Sequence, residues 1–306
     1  MNTDIINQLG NITGPVNILT NENMNKHTTF KVGGAADVFV TPQSIEEAVN
    51  IIRLLLSKNE PYVVIGNGSN ILVSDSGYRG CIVCMDKGTD AITVNGKSIK
   101  AEAGAMLSKA AYAAYENGLT GLEFASGIPG TVGGAMVMNA GAYGQEMKDV
   151  TVSVTLFDAS SGEVLTVPAC DMEFGYRTSI VKKHPYTVLA AEFELKVGNR
   201  EEIKARMDEL ALARRQKQPL EYPSAGSTFK RPEGYFAGKL IEDAGLKGYT
   251  VGGAAVSEKH CGFVVNTGNA TAAEVLQLMS DVRDRVNERF GVVLEPEVVM
   301  IGDVKI

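Results

Sequence analysis

Tryptophan is absent from this 306-residue chain, and cysteine occurs only four times. Four cysteines at this length do not make a disulfide scaffold. Cys81 and Cys84 form a CxxC, but inside RGCIVCMD, which reads as a buried strand. With no second CxxC and no ligand histidine nearby, no metal site is expected. Basic residues are outnumbered, 29 Lys and Arg against 36 Asp and Glu, for a net charge of −7. Duplex binding needs a basic face that replaces counterions, so nucleic acid is not an expected partner. A local basic pocket for a phosphorylated small molecule is still allowed. The opening MNTDIINQLGNITG lacks a basic n-region and a long apolar h-region. It does not read as a signal peptide, and a cytoplasmic protein is the simplest expectation.

Glycine, by contrast, is plentiful, with 33 residues against an average usage of roughly 7%. Charge is missing altogether from Phe124 to Gln145, a stretch containing IPGTVGGAMVMNAGAYG. Its length alone suggests a membrane span. Six glycines and Pro129 argue against one, because each interior glycine costs a helix roughly 1 kcal/mol and proline about 3. No membrane insertion is expected.

Along the chain, residues 37–41 read as a strand ending at Pro42, and Ser44 with Glu47 as a capping box. Ile45, Ala48, Val49, Ile52 and Leu56 repeat at helical spacing. YVVI is a short strand, and Gly66–Asn70 a glycine turn. Residues 80–104 alternate like strands with a hairpin turn at Asn95–Gly96. A helix over 107–117 follows, then strands over 150–157, 163–167 and 187–197. Near Val197 the character changes to a charged amphipathic helix, with Asn199 and Glu202 as a cap pair, ending by Pro219. The last third reads as a short helix (237–244), two strands, and a long helix. That helix starts at Thr271 with Glu274 as capping partner and stops before Gly291, with Val275, Leu278, Met279, Val282 and Val286 as its apolar stripe.

Two uncharged glycine clusters, 66–70 and 127–144, remain to be explained. Close backbone approach accounts for one or two glycines; a backbone nest for diphosphate oxygens accounts for a cluster. GNGSN has Ile71 where G-x-G-x-x-G needs glycine, and it lacks the Lys-Ser/Thr of a P-loop. On the residues alone, a nucleotide or flavin cradle and a buried structural turn stand level.

Five segments in order then carry a resemblance: GNGSN, GIPGTVGGAMVMNAGAYG, FGYRTS, AGSTFKRP and LEPEVVMIG. Over roughly residues 28 to 302 the chain resembles the UDP-N-acetylenolpyruvoylglucosamine reductase family. FKRPEGYFAGKLIEDAGLKG leaves almost no room for the long substrate-closing insertion of one family type, so the chain looks like the shorter type. The resemblance implies an α+β protein with the vanillyl-alcohol-oxidase-like FAD-binding fold. It implies two FAD-binding subdomains, 1–75 and 76–198, and a C-terminal α+β substrate-binding domain, 199–306. The implied activity is NADPH-dependent, FAD-mediated reduction of the enolpyruvyl ether of UDP-N-acetylglucosamine to UDP-N-acetylmuramate, a cytoplasmic step of peptidoglycan precursor synthesis.

The same resemblance assigns residues. Arg177 matches the catalytic arginine, whose guanidinium fork can hold a carboxylate bidentately. Ser227 matches the proton donor, and Glu297 the catalytic glutamate, with Glu295 its neighbour. Read without the family, these three are a surface arginine, a turn serine and a strand-end glutamate. Gly66, Asn67, Gly68, Ser69 and Asn70 should line FAD, as should Ile128, Gly133, Gly134 and Ala135, with Asn139 and Gly141 nearby and Arg214 as a contacting arginine. Tyr143, Lys217, Lys230 and His260 fall at or beside substrate positions. Another FAD-linked oxidase on this scaffold would be marked by a covalent-flavin His or Cys, and neither glycine cluster contains one. A non-catalytic nucleotide-binding module is the remaining alternative; flavin absorption that bleaches with NADPH would dismiss it.

Overall fold

The computed structural model describes residues 1–304. Contacts divide the chain into two units, each assembled from separate segments. The first comprises Met1–Leu19, Val38–Asn67 and Gly80–Arg214; the second comprises Thr20–Asp37, Gly68–Arg79 and the chain from Arg215 onward.

In the first unit, α1 (Thr3–Thr13) is followed by α2 (Ile45–Ser57), which buries Ala48, Val49, Ile51, Ile52 and Leu55. Ser44 Oγ accepts the N–H of Glu47 at 3.1 Å, as a cap should. The returning bond of the expected box differs: with Ser44 extended, the Glu47 carboxylate takes the N–H of Gln43 at 2.8 Å. Strand Tyr62–Ile65 runs parallel to the 81–84 portion of strand Tyr78–Cys84. Cys81 and Cys84 are buried there, and burial pushes both thiols up to about 12. They stay protonated at neutral pH.

An antiparallel five-stranded sheet completes this unit, in the order Glu163–Pro168, Thr151–Asp158, Tyr186–Glu194, Ser98–Glu102, Ile92–Asn95. The strand expected over 187–197 is two pieces: Tyr186–Glu194, and Lys196–Val197 paired with Leu119–Thr120. Helices α3 (Leu107–Glu116) and α4 (Val132–Met138) join the sheet in one core with Ile99, Phe124, Met136, Phe157 and Phe193. The charged helix α5 (Arg200–Lys217) is capped by Asn199, whose Oδ1 accepts the N–H groups of Glu201 and Glu202 at 2.8 and 3.3 Å. Only Ile203, Met207 and Leu210 of α5 are buried.

The second unit has its own core. An antiparallel sheet runs in the order Ser224–Ser227, Phe263–Asn266, Ala254–Val256, Thr250–Val251. Helices α6 (Ala237–Asp243) and α7 (Ala272–Phe290) share that core. Both halves of the Thr271–Glu274 capping box are present, and Gly291 ends α7 in the left-handed conformation. The expected stripe of Val275, Leu278, Met279, Val282 and Val286 is buried. The Asp75 carboxylate also accepts the N–H groups of Ala272 and Ala273 at 2.7 and 2.9 Å. Strand Ile71–Val73 runs parallel to Val299–Ile301. Among the described residues, no helix is long and apolar enough to cross a membrane.

Candidate active site

The uncharged stretch contains a helix, α4, that its composition does not suggest. Thr131 begins it: the residue is extended, and its Oγ1 accepts the N–H of Gly134 at 3.4 Å. Asn139 ends it at φ 42°. The N–H groups of Val132 and Gly133 bond the carbonyls of Ala105 and Ala103 at 2.8 and 2.9 Å. A Cβ on Gly133 would stand 2.9 Å from the Cβ of Ala103, so this glycine serves the seating of the helix. Gly134 differs. It is exposed, and a Cβ there would meet only Thr131 Oγ1, at an ordinary 3.7 Å. At Gly66 a Cβ would lie 2.1 Å from the same Oγ1. The clusters therefore mix both explanations that the sequence left level: Gly66 and Gly133 let chain approach chain, and Gly134 leaves space open.

That space belongs to a cavity of about 350 Å³ in the first unit. Tyr62, Gly66, Thr131, Gly134, Val137 and Tyr186 are among its walls. Of the expected cofactor residues, Gly66, Gly133 and Gly134 line it. Ala135 is buried, Ile128 packs against the core, and the Asn67 amide donates to the Pro129 carbonyl at 2.6 Å. Arg214 is half-buried with its side chain against Gly127. The guanidinium has no hydrogen bond or ion pair among the described residues, and desolvation lowers its pKa. An apolar cavity with a partly desolvated, uncompensated cation elsewhere in the same unit suits a ligand with flat rings and a diphosphate. The residues fit FAD.

The end of α4 holds a second feature. Asn139 is fully buried; its Nδ2 donates to the carbonyl of Gly175 and to Glu146 Oε2, both at 3.1 Å, and its Oδ1 accepts the N–H of Lys148 at 2.9 Å. Gly175 and Thr178 bridge each other, making a tight turn with Tyr176 and Arg177 at its tip. Arg177 sits at φ 55° there, half-buried, its guanidinium 5.2 Å from the Tyr176 ring centroid. Gly141 pairs with Glu146 and Ala142 with Gln145, leaving Tyr143 and Gly144 as a two-residue turn with φ of 55° and 86°. Both values positive is the type I′ signature, normally Asn-Gly. A bulky residue at positive φ is strained, and the surrounding structure has to hold it there. Tyr143 is 41% exposed, and its hydroxyl donates to the Leu210 carbonyl at 3.2 Å.

The second unit gathers the other expected residues. Thr29 N–H donates to the Gly68 carbonyl at 3.1 Å, and Thr29 Oγ1 to the Ser224 carbonyl at 2.7 Å. This ties the glycine turn to the strand that ends in Ser227. Ser69 is half-buried between Gly68 and Asn70. The N–H of Glu297 donates to the carbonyl of Thr228 at 2.8 Å, Phe229 bridges Pro296, and the N–H of Lys230 donates to the Glu295 carbonyl at 2.8 Å. This short pairing sets Glu297 against Thr228, the residue after Ser227; Ser227 and Glu297 are both half-buried. Glu295 lies exposed instead, in an ion pair with Lys230 at 2.9 Å. The family resemblance chooses Glu297 over Glu295, and the two acids differ in burial, half-buried against exposed. His260 is exposed, and its Nδ1 accepts the N–H of Gly262 at 3.1 Å, so the neutral ring carries its proton on Nε2. Protein packed around the ring lowers its pKa. Lys217 is exposed at the end of α5.

Sequence reasoning did not read Thr131 as a helix start and gave no part to Thr29. Thr131 before an apolar run and Asn139 after it were available as start and stop signals. The adjacent glycines masked them. Thr29 carries no local signal, since its partners lie far along the chain.

The family model described as UDP-N-acetylenolpyruvoylglucosamine reductase, C-terminal domain, matches residues 218–301, and an FAD binding domain model matches 36–168. A UDP-N-acetylenolpyruvoylglucosamine reductase from Lachnoclostridium phytofermentans is 52% identical, with 99% of each chain covered. One from Clostridioides difficile is 50% identical, again over 99% of each. The crystal structure of the Thermus caldophilus reductase matches with a TM-score of 0.79 at 35% identity, covering 93% of this chain and 98% of that one. An alkyldihydroxyacetonephosphate synthase, at 16% identity and a TM-score of 0.51 over 64% of this chain and 41% of its own, shares the fold alone. The α+β, vanillyl-alcohol-oxidase-like class expected from the sequence is the class found.

Proposed function

Because the chain belongs to the UDP-N-acetylenolpyruvoylglucosamine reductase family, we propose that this FAD-dependent oxidoreductase takes its hydride from NADPH. On this reading it converts the enolpyruvyl ether of UDP-N-acetylglucosamine to UDP-N-acetylmuramate, in the cytoplasm, for peptidoglycan precursor synthesis. End-to-end similarity to reductases of that name carries the reading. The chemistry FAD supplies when bound is hydride relay from the nicotinamide to the terminal alkene carbon.

The chain's own residues handle the charge and the proton. Negative charge develops on the other alkene carbon and its carboxylate. The Arg177 guanidinium binds that carboxylate through two parallel N–H bonds that strengthen as charge builds. Ser227 Oγ–H delivers a proton to the carbon. An ionised carboxylate beside the developing charge would repel it, so Glu297 acts protonated or neutralised by a cation. Tyr143, Lys217, Lys230 and His260 bind the substrate, with Lys217 drawn to the diphosphate. Arg214 holds the cofactor diphosphate, and the segments 1–75 and 76–198 serve FAD while 199–306 serves the sugar nucleotide. The test is an anaerobic titration. NADPH should bleach the flavin absorption, and the enolpyruvyl sugar nucleotide should restore it. A flavin that bleaches but is not reoxidised by this substrate removes the assigned reaction and leaves the flavoprotein.

A further inference from the structure

The last two residues of α4 and its C-cap, Asn139, all contact the segment that carries the Arg177 turn. The hydroxyl of Ser179, itself fully buried, donates to the Val137 carbonyl at 3.0 Å. Lys182 Nζ contacts Met138 Sδ at 3.8 Å and the carbonyl of Arg177 itself at 3.4 Å. Asn139 Nδ2 donates to the Gly175 carbonyl, the first residue of the turn. The Asn139 amide has two donors and one acceptor oxygen, and protein groups take both donors and bond the oxygen. Two acceptors face its nitrogen and one N–H faces its oxygen, so its orientation is fixed by its partners. With no exposed surface, the side chain has nothing left to offer a ligand.

We propose that Asn139 is a positioning residue for Arg177: it acts through the 175–178 turn, with Ser179 as a second tie, and sets where the guanidinium meets the substrate carboxylate. The inference rests on the role given to Arg177 above. An arginine at φ 55° is held in a conformation that L-residues adopt at some cost. The surrounding chain must over-determine it, and these are the bonds that do so. Asn139 is itself left-handed, which asparagine tolerates, so one residue both ends α4 and aims its amide at the turn.

The test is a double-mutant cycle on the FAD-loaded enzyme, with the two half-reactions followed separately. Asn139→Gly keeps the left-handed backbone and removes only the amide. It should slow flavin reoxidation by the enolpyruvyl substrate on the order of 10²-fold, the effect of misplacing a catalytic group by about an ångström. Flavin reduction by NADPH should change by less than about twofold. In an Arg177→Ala background the same substitution should change reoxidation by less than about twofold, because the group it positions is gone. Ser179→Ala should show the same pattern more weakly, and its cycle decides alone if Asn139→Gly fails to retain FAD. The inference is overturned if the asparagine or serine substitution is equally harmful with and without Arg177, or slows both half-reactions alike. If Arg177→Ala alone leaves reoxidation intact, the role of Arg177 is what fails.

Discussion

Asn70 Nδ2 donates to the backbone carbonyl of Glu297 at 3.2 Å, while the Asn70 carbonyl accepts the N–H of Val299 at 2.9 Å. The last residue of the glycine turn thus clamps the segment that carries the acid. Asn70→Ala should lower stability by about 0.5–1.5 kcal/mol, the net worth of one hydrogen bond. It should slow substrate-driven flavin reoxidation more than NADPH-driven reduction, because the segment it holds carries Glu297. Stopped-flow absorbance of the two half-reactions checks this; equal slowing of both would leave Asn70 with the cofactor role that the family resemblance implies.

Ser227→Ala should slow the substrate half-reaction by roughly 10²–10⁴-fold, the range for losing a general acid. NADPH-driven reduction should survive. If the two steps suffer equally, Ser227 is not the proton donor.

The two glycines at the start of α4 should respond oppositely to alanine. Gly133→Ala drives a Cβ to 2.9 Å from that of Ala103, and overpacking of this kind costs about 1–3 kcal/mol. Gly134→Ala meets only Thr131 Oγ1 at 3.7 Å and gains helix propensity, about 1 kcal/mol. It also narrows the cavity. Calorimetry of FAD-free protein should show a lower Tm for the first variant and a raised one for the second, while flavin titration should show weaker binding for the second.

Arg214 bears its charge at a desolvation cost that no acidic neighbour offsets. Arg214→Met should therefore leave the FAD-free protein as stable as before or more so. Its affinity for FAD should fall about tenfold or more, the scale of a lost charge-assisted hydrogen bond. Flavin fluorescence on titration reads the second effect and thermal unfolding the first.

His260 titrates with the opposite sign to a histidine in an ion pair. Its folded-state pKa is lowered from 6.5, so below that pH the unfolded chain takes up the proton first. Its contribution is fully present above pH 6.5 and declines as pH falls towards the folded value. Because the ring is exposed the effect is small. His260→Gln should flatten the urea-unfolding profile between about pH 5 and 7; an unchanged slope there assigns the titration to another group.

Most of the helices and strands were legible because local rules decide them. The α7 stripe, the Thr271–Glu274 box and the Asn199 cap lie where spacing and capping chemistry put them, whereas the first hairpin turns one residue later than expected, at 96–97, with Asn95 still paired to Ser98. The α4 helix was not legible, since Gly133 and Gly134 argue against a helix locally. What permits it is Ala103, about thirty positions earlier in the chain, which only glycine can approach. The candidate site was legible in its residue types through the family's ordered motifs and illegible in its division of labour. Nothing local to Asn70 or Asn139 says that their amides bind protein backbone, because those partners are 227 and 36 residues away.

A seven-residue helix is too short to bend, and α4 has the cavity at its first turn and the Arg177 turn at its last. For anyone recombining this chain with a relative, that fixes a minimum unit of exchange. A crossover between residues 131 and 182 would join the cavity wall of one parent to the Arg177 turn of another, so the whole interval has to travel as a single block.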